Sequence, residues 1–385
     1  MRLPARPESI EELEERLSSG ELRESRSMEF KQELPLNKAL AKHIAGLAAE
    51  GGALVIGVEE TPTGNEIRPL DCKGTRERVE QIARDIPVPP VDIESYILDS
   101  EGTGHGVLWI EIPVSPAMLH QVDGTYYERG DTQTRPMADS EVADRMRLRQ
   151  GRYEAVRDNL DAALKREEPG GTEWPGRTCI VARPIGASED EFFGPTRASE
   201  EWKSFAYEVM QPSGMLPVIG NRYWGILKTR NEMARDSLAW SHALFGYRDI
   251  EVQETGAFCL LSYCRDWLPD RTEVIQASSA VLACREALFL IEEVQRRTGQ
   301  RRMWDLAFCV SMVEGFRARK RTEQWQFGNR FVPKIPRDHY RMILTGVSTQ
   351  QLTERPRSVI EQLAGRFIAE CGLDFDEELP ASFFP

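Results

Sequence analysis

The chain reads as a mixed α/β, or α+β, protein in two domains, and three observations predict this. Strand-like and helix-like patterns interleave through residues 1–165 without a regular repeat. A charged and then Pro/Gly-rich stretch, Arg166-Glu167-Glu168-Pro169-Gly170-Gly171-Thr172-Glu173, has no apolar period and reads as a linker. Beyond it, Ala280, Cys284, Leu288, Ile291 and Val294 recur at helical spacing between Gln276 and Thr298, with Gly299 just past the end. At 385 residues each half is long enough to bury its own core. The domains are expected at 1–165 and 177–385.

The elements follow in order. Ser9 and Glu12 form a capping-box pattern, and Ile10, Leu13 and Leu17 give the stripe of a first helix closed near Gly20. From Met28 to Gln32 a strand is expected, with Met28 and Phe30 on one face and Glu29 and Lys31 on the other. Asn37 is a candidate N-cap for a helix carrying Leu40, Ile44 and Leu47, ended by Gly51-Gly52. Ala53 to Val58 is a short continuous apolar run, the pattern of a strand buried on both faces, and it stops at Glu59-Glu60. A helix is expected over Thr75–Ile86, stopped by Pro87, Pro89 and Pro90. Strands are expected around Val91–Ile97 and Val107–Val114, with a hairpin turn at Asp123-Gly124 leading into Thr125–Arg129. A helix from Ser140 then continues toward Leu164, with Gly151 as a candidate break. In the second half, strands are expected at Thr178–Ala182, at Tyr223–Leu227 and as a pair within Ile250–Tyr263. Helices are expected at Gln276–Thr298, Met303–Ala318 and Ser358–Glu370.

Composition narrows the function classes. A net charge of −13 opposes loose attraction to nucleic acid, so such a partner needs a local basic surface. Seven cysteines, with no C-x-x-C pair and mostly inside apolar runs, read as reduced and buried in a cytoplasm, and five dispersed histidines give zinc little to bind. No run approaches the ~18 apolar residues of a membrane helix. The start, M-R-L-P-A-R-P-E, lacks the apolar core of a signal peptide. ATP is not expected as a ligand, because no G-x-x-x-x-G-K-(S/T) string occurs and Gly51-Gly52 stands after a helix and before a strand.

The candidate chemistry concentrates between Glu24 and Glu60. A carboxylate and an ammonium sharing one strand face, Glu29 and Lys31, offer an oxygen ligand for a hard cation and a positive charge for a phosphate. A solvated edge strand is the alternative. Acidic residues directly after a buried strand, Glu59 and Glu60, sit either at a cleft mouth or in a polar turn. Arg129 and Arg135 flank Gly130 and read as phosphate-gripping arginines on one hairpin edge or as a solvated pair. Tyr126 and Tyr127 read as sheet-packing residues. Asp266, Asp270 and Glu273 around Pro269 read as a turn capping the next helix.

In the second half, Gly315–Arg341 holds eight basic residues (Arg317, Arg319, Lys320, Arg321, Arg330, Lys334, Arg337 and Arg341) against Glu323 and Asp338. Trp325, Phe327, Phe331 and Tyr340 are interleaved with them. That combination suits looped or single-stranded RNA, with Arg319, Lys320 and Arg321 as candidate contacts. A loop pinning its aromatics inward near Pro333 and Pro336 is the reading we favour.

Glu24-Ser25 followed by Glu29-Phe30-Lys31, a helix, Gly51 to Glu60, and Tyr126-Tyr127-Glu128-Arg129-Gly130 with Arg135-Pro136 together resemble the AlbA-like domain of Schlafen proteins. The resemblance covers roughly the first 150 residues. It implies a metal-dependent endoribonuclease cutting structured RNA, tRNA foremost, in phage defence or toxicity. Carried over by position, Glu24, Glu29 and Glu60 would hold the metal, with Glu59 as a substitute for Glu60. Oxygen-only ligands imply Mg²⁺ or Mn²⁺, and Lys31 would add electrostatic stabilisation. One departure stands at Leu47-Ala48-Ala49-Glu50, where the family usually reads F-A-N-T. The alternative is a non-catalytic nucleic-acid-binding or regulatory protein using the same cleft. Schlafen cores resemble two such lobes in one chain and this sequence has one, so a homodimer or larger symmetric assembly is expected.

Overall fold

The alternation of Met28 to Lys31 and the apolar run after Gly51-Gly52 become neighbouring strands. The computed structural model describes residues 6–62, 64–99, 104–165, 176–187, 225–229, 232–238, 248–253, 255–267, 272–299, 301–319 and 334–379. Within them β1 (Met28–Lys31) pairs in parallel with β2 (Gly52–Ile56), in the register Glu29 to Leu54 and Lys31 to Ile56. Gly52 is required by that pairing, since a Cβ there would stand 2.6 Å from the Ser27 carbonyl oxygen.

The chain divides into two compact units, Met1–Arg152 with Gly299–Met303, and Tyr153–Thr298 with Trp304–Pro385. In the first unit come α1 (Ile10–Ser18), β1, α2 (Asn37–Ala48), β2, β3 (Val58–Thr61), β4 (Gly64–Ile67), β5 (Leu70–Asp71) and α3 (Thr75–Asp85). They are followed by β6 (Glu94–Asp99), β7 (His105–Ile112), β8 (Gln121–Val122), β9 (Thr125–Arg129) and β10 (Thr134–Pro136). The main sheet has the order β1-β2-β7-β5, with β6 also paired to β7. Strand β2 is buried on both faces, as its unbroken apolar run requires. Leu54 and Ile56 face α2 and α3 together with Leu40, Ile44, Leu47, Val79 and Ile82. Val55 lies with Leu13, Leu17, Met28, Phe30 and Trp109 on the α1 face. Each such side chain, removed from water, stabilises the fold by roughly 1.5–3 kcal/mol.

This layering aims the polar residues of β1. Met28 and Phe30 enter the α1 core, so Glu29 and Lys31 must point to the α2 face. There α2 is covered by the short sheet β10-β9-β8.

Helix α4 (Asp139–Leu164) runs unbroken for 26 residues, correcting the expected break at Gly151. A Cβ at Gly151 would meet nothing within 4 Å, so the glycine serves no packing purpose. One exposed glycine weakens a helix without interrupting it.

In the second unit, seven strands form a sheet in the order β13-β12-β14-β15-β11-β18-β20. These are β11 (Arg177–Pro184), β12 (Gly225–Thr229), β13 (Glu232–Leu238), β14 (Arg248–Val252), β15 (Phe258–Tyr263), β18 (Trp304–Ser311) and β20 (His339–Val347). A smaller sheet joins β16 (Arg265–Trp267), β17 (Glu273–Gln276) and β19 (Arg317–Arg319). Helix α5 (Ala277–Thr298) buries Ala280, Cys284, Leu288, Ile291 and Val294 against Ile180, Phe258, Leu260 and Phe308, as its spacing predicts. The helices α6 (Thr349–Glu354), α7 (Pro356–Glu370) and α8 (Phe375–Glu378) close the chain.

The expected helix at Met303–Ala318 is instead β18, a turn and β19. Its run Leu306 to Val310 is buried throughout, and a fully buried apolar run carries no periodicity to separate strand from helix. Asp266 and Glu273 lie on the paired strands β16 and β17, not in a turn, while Asp270 lies outside the described residues. The fold of the described residues is thus α+β, and no helix among them is long and apolar enough to cross a membrane.

Candidate nucleic-acid site

Glu29 is a carboxylate buried to 2% exposure where hydrophobic residues would ordinarily lie. Its Oε1 meets Lys31 Nζ at 2.9 Å, His43 Nδ1 at 2.9 Å and Arg129 Nη1 at 3.1 Å. The Thr134 hydroxyl donates to Oε2 at 3.4 Å. Burial pushes the Glu29 carboxyl up, but the hydrogen bonds and charges of His43 and Lys31 outweigh it and hold its pKa down to about 2.

Arg129, 4% exposed, clasps the start of β1. Besides Glu29 it meets Glu24 Oε2 through Nη2 at 3.3 Å, and it donates to the carbonyls of Ser25, Met28 and Thr132. Glu24 Oε1 in turn accepts from the Phe30 amide at 3.0 Å. Arg129 is therefore a positioning residue. Arg135 lies on the other face of the β9–β10 hairpin, because Thr134 is registered with Arg129 and Arg135 with Glu128. Half exposed, Arg135 pairs with Glu128 and Glu141. The two arginines do not project together from one edge.

The Glu60 side chain makes no hydrogen bond or ion pair among the described residues, and the residue is exposed. Partial burial and then the like charge of Glu24 push its carboxyl up, against the pull of Lys31 and Arg129, and Glu29 adds to the rise. Its carboxylate therefore lies within electrostatic range of that cluster. Glu59 alternates to the opposite face of β3 and pairs with Arg68 Nε at 2.8 Å. Glu24, Glu29 and Lys31 are thus brought together around Arg129 with Glu60 in electrostatic range, while Glu59 is engaged by Arg68.

Sequence reasoning missed His43 and Thr134. His43 stands one helical turn from both Leu40 and Leu47, on the stripe that faces the sheet, and that spacing is the signal that finds it. Gly46, one turn further along α2, lets the hairpin close over the site, for a Cβ there would stand 2.8 Å from Thr134 Cγ2. The departure at Glu50 has its own partners, Arg26 at 3.1 Å and Arg145. Tyr127 packs against the α2 core with Lys42 Nζ 5.1 Å above its ring, as a sheet-packing residue should.

The donors suit a hard divalent cation in type, since they offer oxygen alone. They do not suit it in arrangement. Glu29 Oε1 is taken by Lys31, His43 and Arg129, Glu24 is divided between an amide and Arg129, and no group of three His, Cys, Asp or Glu side chains among the described residues is disposed to hold a metal.

Of the basic segment in the second unit, Arg319 is half-buried on β19, and Lys320 and Arg321 lie outside the described residues, as do Trp325, Phe327 and Phe331. Arg341 pairs with Asp161 at 2.7 Å and Arg337 with Glu370 at 3.2 Å. Tyr340 packs edge-on against Phe367 with its hydroxyl on Glu370.

Residues 24–138 match the family described as Schlafen, AlbA_2. The N-terminal region carries a Schlafen AlbA_2 domain. Both ends of that match fall on the site, from Glu24 to the hairpin that delivers Arg129 and Thr134. The Schlafen AlbA_2 domain ties this part of the chain to nucleic acid. No curated protein matches the chain. Among solved structures, the DIP2311 protein from Corynebacterium diphtheriae matches at 14% identity with a TM-score of 0.25, over 75% of this chain and 61% of that one. The chain thus spans less than two thirds of that protein, and a likeness at this score carries no argument.

Proposed function

We propose that this chain is a Schlafen-like endoribonuclease acting on structured RNA, with tRNA the first substrate class to examine, in the cytoplasm and in a defensive or toxic role. The observation that carries the reading is the Lys31–Glu29 pair inside the Schlafen AlbA_2 domain, with the exposed carboxylate of Glu60 in electrostatic range of it. Lys31, about a third exposed, is the cation placed to meet a phosphate. Glu60 would take the proton of the attacking hydroxyl as its oxygen bonds to phosphorus, and the leaving oxygen would take a proton from water. Mg²⁺ or Mn²⁺ belongs to the proposal through the family, and no step above depends on it.

A second reading has an observation of its own. Glu29 is already paired with Lys31 and Arg129 and contacted by His43, which suits a site that binds nucleic acid without cutting it. Incubating purified protein with total tRNA, in Mn²⁺ and in EDTA, separates the two. Discrete fragments in Mn²⁺ are the expected result. A shifted but intact RNA in both lanes would overturn the nuclease and leave the binding protein.

A further inference from the structure

Ser115 and His120 make none of the contacts of the site, yet both are polar residues buried to 4% and 1% exposure. The His120 imidazole is held at both nitrogens. Nδ1 lies 2.7 Å from the Pro89 carbonyl oxygen, and Nε2 lies 2.7 Å from the Ser115 hydroxyl. A carbonyl can only accept, so Nδ1 carries the hydrogen. The neutral ring then offers a lone pair at Nε2, and the Ser115 hydroxyl donates to it. Ser115 Oγ accepts in turn from the Ala117 amide at 3.2 Å.

The pair fastens three segments of the first unit. The Ser115 amide donates to the Ala48 carbonyl at the end of α2, at 2.8 Å. Pro89 follows α3, and beside it Val88 and Gln121 exchange backbone hydrogen bonds of 2.9 and 2.8 Å. His120 directly precedes β8, from which β9 and β10 grow by way of the Asp123-Gly124 turn. The β9–β10 hairpin carries Arg129 and Thr134 to Glu29, and α2 carries His43 to it. One buried hydrogen-bonded pair thus lies at the root of both elements.

We propose that Ser115 and His120 are positioning residues, a neutral latch that seats the β8–β9–β10 sheet over Glu29, and that one proton on His120 releases it. A proton at Nε2 puts a charge where the ring is 1% exposed, and it turns the ring's acceptor into a donor aimed at a hydroxyl that was donating to it. Burial pushes His120 below its ordinary value of 6.5, against the pull of the Pro89 carbonyl, and no carboxylate among the described residues offsets it. The charges on the surrounding elements are otherwise committed. Glu50, at the end of α2, pairs with Arg26 and Arg145, and Asp123, on the β8–β9 turn, pairs with Lys38. Arg152 donates to the Pro116 carbonyl at 3.1 Å and stays charged throughout. Asp92, three residues past Pro89, is raised by burial, so its own protonation favours the folded state. With the folded value of His120 the lower one, the latch contributes in full above pH 6.5 and is lost as the pH falls through the folded value.

Hydrogen exchange by mass spectrometry on the full chain, corrected for the intrinsic pH dependence of amide exchange, tests the latch without any RNA. Between about pH 7.5 and about pH 5.5, where histidines titrate, the β9 amides of the wild type are expected to become at least tenfold faster to exchange. His120→Asn keeps a donor for the Pro89 carbonyl and cannot titrate. Its β9 amides are expected to exchange several-fold faster than the wild type at the upper pH and to show no further step. Ser115→Ala leaves Nε2 without its donor, which is expected to move the step to higher pH, a shift that a merely structural serine would not cause. A wild type without the step overturns the proposal, as does a step left in place by Ser115→Ala. A step that persists in His120→Asn overturns it too, and assigns the change to another group, His43 first. Failure here leaves the nuclease reading standing, and an RNA that is bound but never cut leaves the latch standing.

Discussion

Glu29 stands at 2% exposure with Lys31, His43 and Arg129 on one oxygen, so its charge is part of the fold before it is part of any chemistry. Its pKa is lowered from the ordinary 4.5 to about 2. A depressed carboxylate contributes stability that is present in full above the unfolded value and is lost as the pH falls from there through the folded one. The window is therefore from about pH 4.5 down to about pH 2, and the shift corresponds to about 3 kcal/mol. Glu29→Gln should remove that dependence: its β1 and β2 amides are expected to lose protection at pH 7 and to match the wild type near pH 2. Hydrogen exchange by mass spectrometry reads this directly. Equal protection at pH 7 would mean that the ion pairs contribute nothing there. Removing one partner of a buried pair typically destabilises by roughly 3–5 kcal/mol, which sets the upper end of the expected effect.

Helix α4 shows what an element adds to its residues. Gly151 lies mid-helix, and a methyl group added there would have nothing within 4 Å, so Gly151→Ala should stabilise by about 0.5–1 kcal/mol. A rise in melting temperature in a thermal scan checks this, and a fall would contradict the continuous helix. The same element marks how legible the sequence was. Helices with a clear apolar stripe, α1, α2, α3, α5 and α7, could be read directly, because one face alone meets a core. The strand Trp304–Ser311 could not, since both of its faces are buried and no period survives. In the site, Glu24, Glu29, Lys31 and Glu60 were legible as acidic and basic residues at strand ends. The separation of Glu60 from Glu59 followed from strand alternation but needed the observed register of β3 and β4. His43 was hidden among core residues of α2, and the burial of Arg129 depends on a hairpin about 100 residues distant from β1, which no local pattern records.

Across the whole molecule, the net charge of −13 makes general attraction to RNA weak, so recognition must rest on a local site. Residues 299–303 belong to the first unit although they follow α5, and Arg301 reaches Glu94 at 2.7 Å and the Tyr96 hydroxyl at 2.9 Å. A five-residue return of this kind carries no sequence signal. The Schlafen AlbA_2 domain supplies a cluster where carboxylates and a lysine come together, and Glu60 is the member whose side chain no hydrogen bond or ion pair among the described residues engages. Replacing it should therefore leave the fold intact, which cannot be expected of Glu29 or Arg129. The most direct measurement is the single-turnover cleavage rate of a structured RNA by Glu60→Gln beside the wild type, with binding followed in parallel by fluorescence anisotropy. The account expects binding within a few-fold of the wild type and cleavage at least 100-fold slower, the scale on which one positioned acid–base group acts. A Glu60→Gln protein that cuts at the wild-type rate would contradict it.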